Sequence, residues 1–277
     1  MYNPFIKKSR YTNNSKIYEF NASGKFVESQ SFIAPVCQYC QHHQLNFELG
    51  DVTVWCCPKE ECIDHLSHLN PAQWREYPMN FILHLKKRNE FCSAKLDGND
   101  PIQEDFINKW KLFKQGKIRD IYLSGDLGIG KTHCLIAALK DVCKYAKNMT
   151  TCLITEADLY KKIKNSWEKY SDESEKKLID HYSTVDILFL DDLAAAIKTS
   201  QGDWGNQLLL DLLDERLNSL NLRTVISSNY TMDQLSGIYN ERILDRLKKM
   251  KCAYIHGPSR RMPVEQIEMP VESTISS

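Results

Sequence analysis

The sequence predicts an α/β fold built on a parallel sheet, on three observations. Short apolar runs of strand length alternate with longer stretches of helical period. A glycine-rich loop, Gly125-Asp126-Leu127-Gly128-Ile129-Gly130-Lys131-Thr132, joins a strand to a helix. The apolar run Val185-Asp186-Ile187-Leu188-Phe189-Leu190 ends in two carboxylates, Asp191 and Asp192. Strands separated by helices need crossover connections, and such strands lie parallel.

Taken in order, residues 1–35 are rich in Asn, Ser, Tyr and Lys without a sustained period, which predicts a flexible arm. Five of the ten cysteines then fall between Cys37 and Cys62. After Pro71, Trp74 to Glu90 mixes apolar and basic residues at helical spacing. The breaker Leu96-Asp97-Gly98-Asn99-Asp100-Pro101 marks a domain boundary. This divides the chain into the arm, a small module over 36–70, a helical linker over 71–100 and a nucleotide-binding domain over 101–263. Residues 264–277, with three Glu and no Lys or Arg, read as a disordered acidic tail.

Inside the large domain, Ile121 to Leu123 reads as a strand, Lys131 to Lys147 as a helix and Thr151 to Ile154 as a strand. Glu156 to Lys169 follows as a helix, Val185 to Leu190 as a strand buried on both faces, Trp204 to Leu220 as a helix and Thr224 to Ser227 as a strand. An apolar fraction of 42% is ample for a core. Thirty-six basic and thirty-six acidic side chains cancel, so any nucleic-acid contact must come from local patches. No apolar run approaches the ~20 residues that span a bilayer, and Met1 to Arg10 lacks the apolar core of a signal peptide. These features predict a cytoplasmic protein with no membrane partner.

The glycine loop carries the most specific chemistry. Glycines at 125, 128 and 130 let the backbone turn tightly and aim N–H groups, with the helix N-terminus, at phosphate oxygens. Asp126 and Ile129 complete the loop, Lys131 supplies a charge to the outer phosphates, and the Thr132 hydroxyl offers a ligand to Mg2+. Asp191, at the end of a neighbouring strand, orients the metal, and Asp192 is placed to polarise the attacking water. The pattern predicts an ATPase, and the short Asp192 side chain predicts slow hydrolysis.

With these motifs, residues from about Asp120 to Arg261 resemble the AAA+ ATPases, and within them the DnaC/DnaI-type loaders of the replicative helicase. Arg223 to Tyr230 looks like the sensor 1 strand, which implies that Asn229 contacts the γ-phosphate or the attacking water. Glu241-Arg242-Ile243-Leu244-Asp245-Arg246-Leu247 is similar to the Box VII helix, which presents an arginine finger to ATP on the adjacent subunit. The finger is placed at Arg246, with Arg242 as second choice. His256 to Arg261 resembles the Ser-Tyr-Arg end of the loader domain, with Arg260 where Tyr is usual, so either Arg260 or Arg261 approaches the nucleotide. The resemblance implies a parallel sheet in the order 5-1-4-3-2, no helical lid and an ATP-dependent homo-oligomer.

Cys37, Cys40, Cys57 and Cys62, spaced C-x2-C-x16-C-x4-C, form two knuckles that can hold Zn2+ tetrahedrally. Cys56 could replace Cys57, and His65 or His68 could replace Cys62. Such a metal replaces the core that so short a segment cannot build. The scattered cysteines 92, 134, 143, 152 and 252 read as buried small hydrophobes. A zinc module before this ATPase core resembles the DnaI-type arrangement. It implies an adaptor that grips a DnaB-type helicase while the ATPase domain binds single-stranded DNA, with Lys161, Lys162, Lys164 and Lys169 as a candidate contact. The alternative is an IstB-like transposase helper, which shares the core and lacks the cysteine module. A scaffold with a vestigial site is a third reading, and intact Lys131, Thr132, Asp191 and Asn229 oppose it.

Overall fold

The computed structural model describes residues 16–20, 26–29, 45–49, 52–56, 83, 86, 88–145, 149–167, 174–195, 202–219 and 222–260. Nine strands form one sheet: β1 (Lys16–Phe20), β2 (Phe26–Glu28), β3 (Leu45–Leu49), β4 (Val52–Cys56), β5 (Asp120–Gly125), β6 (Thr151–Thr155), β7 (Ile187–Leu193), β8 (Arg223–Ser228) and β9 (Lys251–Ile255). The helices are α1 (Glu104–Lys114), α2 (Lys131–Tyr145), α3 (Glu156–Asn165), α4 (Glu175–Thr184), α5 (Gly202–Asp214) and α6 (Glu241–Leu247).

The sheet order is β2-β1-β4-β3-β6-β7-β8-β5-β9, and all pairs from β3 through β9 except the β3/β4 hairpin are parallel. Counted within the nucleotide domain alone, the five strands run fifth, first, fourth, third, second. The sheet as a whole departs from the expected order because four N-terminal strands extend it past β6. Within the expected arm over 1–35, Lys16–Phe20 and Phe26–Glu28 form β1 and β2, and the rest of it apart from Ser29 lies outside the described residues. The breaker at Leu96 to Pro101 does not separate two sheets, because β3 is hydrogen-bonded to β6 with Phe47 opposite Thr151. Most of the expected helix from Trp74 to Glu90 lies outside the described residues, as do 264–277.

Strand alternation distributes the core to two faces. Ile121, Leu123, Leu153, Phe189 and Val225 point to the layer formed by α1 and α2, where Phe106, Trp110, Phe113 and Leu135 are buried. Tyr122, Ile154, Leu188, Leu190 and Ile226 face the layer of α3, α4, α5 and α6. Three helices start on side-chain caps: Thr155 accepts from the Asp158 N–H, Ser174 from Lys177 and Asn240 from Ile243. Cys134 and Cys152 are buried as expected, with the Cys134 thiol pushed up to about 12 by burial, whereas Cys252 is exposed.

A π-helical turn, Glu215–Ser219, continues α5 and carries the fully buried Arg216. Its guanidinium donates to Thr224 Oγ1 (3.0 Å) and to the carbonyls of Tyr182 (2.8 Å), Val185 (2.9 Å) and Arg223 (2.6 Å). It thereby satisfies the end of α4 and the start of β8 together, and burial pulls its pKa down to about 10. Arg216→Met strips four acceptors of their donor, so urea unfolding should show a loss of about 3–5 kcal/mol. An unchanged midpoint would mean that water serves these carbonyls instead.

Candidate nucleotide site

β5 ends at Gly125, and the loop runs from there to the first turn of α2. Glycine is required at 125 for a reason other than the one expected. A Cβ there would lie 2.2 Å from the Ile255 carbonyl oxygen of β9, so the residue secures close packing and not a turn. The turning falls to Gly128 and Gly130, with φ of 76° and 108°, a region closed to most side chains. Ile129 between them is buried and anchors the loop in the core. Lys131, only 5% exposed, donates from Nζ to the carbonyls of Gly125 (2.8 Å) and Asp126 (2.7 Å) at the foot of the loop.

The two carboxylates sit on an irregularity. Leu190 pairs with Ile226 and Leu193 with Ser228, so Asp191 and Asp192 occupy a bulge in β7. Asp191 is buried, accepts from Thr132 Oγ1 at 2.8 Å and also accepts from the Ser227 hydroxyl. Burial raises its pKa, and the neighbouring Asp192 raises it further. Asp192 is half-buried at φ 57°, its N–H donating to Ser227 Oγ at 3.1 Å. Ser228 Oγ donates to the Leu193 carbonyl (2.8 Å) and accepts from the Tyr230 N–H (3.1 Å), which brackets half-buried Asn229 at the end of β8.

Among the candidate arginines, Arg260 reaches the loop: its backbone N–H donates to the Gly128 carbonyl at 2.9 Å, and its guanidinium pairs with Asp100. Arg261 lies outside the described residues. Arg246 is engaged with α5, its Nε at 2.6 Å from Asp214 Oδ1 and its Nη1 at 2.9 Å from Asp245. Hydrogen bonding to Asp214 raises its pKa. Arg242 is exposed on the same helix. Cys37, Cys40, Cys57 and Cys62 lie outside the described residues, as does Lys169. Sequence reading missed Ser227 and Ser228, although two hydroxyls closing the apolar run Val225-Ile226 were a signal.

The residues present fit a magnesium nucleotide. Thr132 Oγ1 and Asp191 Oδ2 converge as two hard oxygen donors suited to Mg2+. At Gly130 the constraint is the backbone at φ 108° and not space, since a Cβ there would make only ordinary contact with the Arg260 side chain at 3.8 Å.

Known proteins agree with this geometry. Over 133 residues the chain is 25% identical to the replicative helicase loader DnaC of Escherichia coli K12, covering 48% of this chain and 51% of DnaC. It is 27% identical over 131 residues to the replicative helicase loader DnaI of Bacillus subtilis 168, covering 47% of this chain and 39% of DnaI. The chain thus spans about half the length of DnaC and less of DnaI. A crystal structure of DnaI superposes with a TM-score of 0.50 at 26% identity, covering 62% of this chain and 93% of that one. Residues 109–251, just over half of the chain, match the family model of the bacterial DnaA ATPase domain. The chain therefore belongs to the family of the bacterial DnaA ATPase domain, of AAA+ fold, and among its relatives it resembles the DnaC/DnaI-type replicative helicase loaders.

Proposed function

We propose that this chain is an ATP-dependent loader or adaptor that binds a DnaB-type replicative helicase and single-stranded DNA during the initiation of replication. The observation that carries the proposal is the meeting of Thr132, Asp191 and Ser227 beside the glycine loop in a chain similar to two replicative helicase loaders. ATP and Mg2+ are its cofactors. Gly125, Asp126, Gly128, Ile129, Gly130, Lys131 and Thr132 hold the phosphates, Asp191 holds the metal, and Arg260 borders the loop. Asp192 takes the proton of the attacking water, and Asn229 orients that water. Arg246 is the finger offered to a neighbouring subunit, and its exchange from Asp214 to phosphate accompanies assembly.

Two further features support the partners. On α3, Lys161 and Lys164 are exposed, and Lys164 lies 5.7 Å from the centre of the Trp204 ring. Trp167, itself exposed, meets Trp204 edge-on at 4.9 Å between ring centres, so cations and aromatic faces stand together as a single-stranded nucleic acid requires. The β3/β4 hairpin pairs Leu45 with Cys56, five residues after Cys40 and one before Cys57 in the sequence. That supports a Zn2+ site at Cys37, Cys40, Cys57 and Cys62, within a 36–70 module that grips the helicase.

A pull-down from the native host with identification of bound proteins tests this reading. A DnaB-type helicase should be recovered, together with about one zinc per chain by metal analysis. Cys37→Ser should lose both zinc and helicase while ATP binding persists. Recovery of a transposase instead would turn the assignment to the IstB-like helper, and a zinc-free chain that still binds helicase would overturn the metal site.

A further inference from the structure

Glu156 is the most deeply buried carboxylate among the described residues, with no exposed surface, and no role in phosphate or metal binding accounts for it. It opens α3 directly after Thr155, the register partner of Asp191. One carboxylate oxygen accepts the Ala194 N–H at 2.9 Å. The other accepts the hydroxyls of Tyr160 (3.0 Å) and Tyr239 (2.8 Å). Burial, then the adjacent Glu156 charge, raises the pKa of both tyrosines, which keeps them as donors.

What these bonds hold is a strained turn. Asp192 and Ala194 have φ of 57° and 70°, and they are the only non-glycine residues with positive φ among those described. Such a conformation persists only where its surroundings enforce it. From β8, Ser227 holds the Asp192 N–H and Ser228 the Leu193 carbonyl. From the opposite side Glu156 holds the Ala194 N–H. Through its second oxygen it connects the turn to Tyr239, two residues before the start of α6.

We propose that Glu156 is a positioning residue for ATP hydrolysis, fixing the turn that carries Asp192 and tying it to the foot of the helix bearing Arg242 and Arg246. The inference rests on the reading of Asp192 as the hydrolytic base. It makes the geometry of that base answer to the seating of α6, the helix offered to a neighbouring subunit.

The test uses the full chain with Glu156→Gln, Tyr239→Phe, the double variant and Asp192→Asn as control. Glutamine has one acceptor oxygen, so it cannot accept from Ala194 and from the tyrosines on two separate oxygens. Each single change should leave ATP affinity as in the wild type and lower turnover about tenfold, because small displacements of a catalytic group are costly. The double variant should be no slower than the slower single, since both cut one connection. Hydrogen exchange should rise in peptides covering 191–195 and stay unchanged over 125–132. If Asp192→Asn slows turnover while Glu156→Gln and Tyr239→Phe match the wild type, the positioning role is wrong and the base assignment stands. If Asp192→Asn has no effect, the base assignment fails and the inference with it. Additive losses, or losses that follow weakened ATP binding, would reduce Glu156 to a structural residue. Should Glu156→Gln not fold, Tyr239→Phe, which removes one hydroxyl only, decides by its turnover and exchange.

Discussion

Lys131→Ala should abolish ATP binding in an equilibrium titration while the fold persists. The ammonium is held at the foot of the loop by the carbonyls of Gly125 and Asp126, within the turn that leads into α2. A phosphate arriving at the loop finds there both the N–H groups of the helix start and this one buried cation. Each charge-assisted hydrogen bond to phosphate lost with the ammonium, at about 1.5–3 kcal/mol, weakens affinity by about 10–10²-fold. Alanine also removes the tie between the loop and its own foot, so the cradle loses order as well as charge. Retained micromolar binding, with circular dichroism like the wild type, would show that the loop amides suffice.

The second large effect is expected at Arg246. Its guanidinium meets Asp214 through Nε and Nη2, at 2.6 and 3.4 Å, the fork-like contact it would make with phosphate oxygens. Arg246→Ala should spare ATP binding by the isolated chain and lower partner- or DNA-stimulated hydrolysis by about 10³-fold where chemistry limits the rate. Mixing Arg246→Ala with Lys131→Ala chains should restore activity, because one supplies an intact phosphate site and the other an intact finger. If Arg242→Ala shows this pattern and Arg246→Ala does not, the exposed Arg242 is the finger and the Asp214 pair is purely structural. If no mixture recovers under conditions where the wild type assembles, neither arginine acts between subunits.

The parts of this site that were legible in the sequence are those whose chemistry is local. A loop that must turn at Gly128 and Gly130 and then start a helix with Lys131-Thr132 writes its requirement into eight consecutive residues. The run from Ile187 to Leu190 shows its double burial by having no polar position. What was not legible depends on partners far apart in the chain. Gly125 is read as a turn residue until β9 is seen to place the Ile255 carbonyl against it, 130 positions later. Glu156 reads as an ordinary acid at a helix start, since nothing nearby announces Tyr239 or Ala194. The strand Lys251–Ile255, with Lys251, Cys252 and Tyr254 exposed, gave no clear period, because an edge strand need satisfy only one face. The four N-terminal strands were missed for a related reason: they are short, interrupted segments that pair with one another, and only β3 joins them to β6.

The contact between Gly125 and Ile255, with the Arg260 N–H on the Gly128 carbonyl, has a temporal meaning. The glycine loop at 125–132 is made well before the strand and the amide that confine it, which are among the last described residues to leave the ribosome. At about 5–20 residues per second, β9 follows the loop by several seconds or more. During that interval the nascent chain carries the complete motif without the wall that shapes it. The full shape of the loop is therefore a property of a chain made through Arg260, and a chain stopped before β9 should hold ATP more weakly than the complete one.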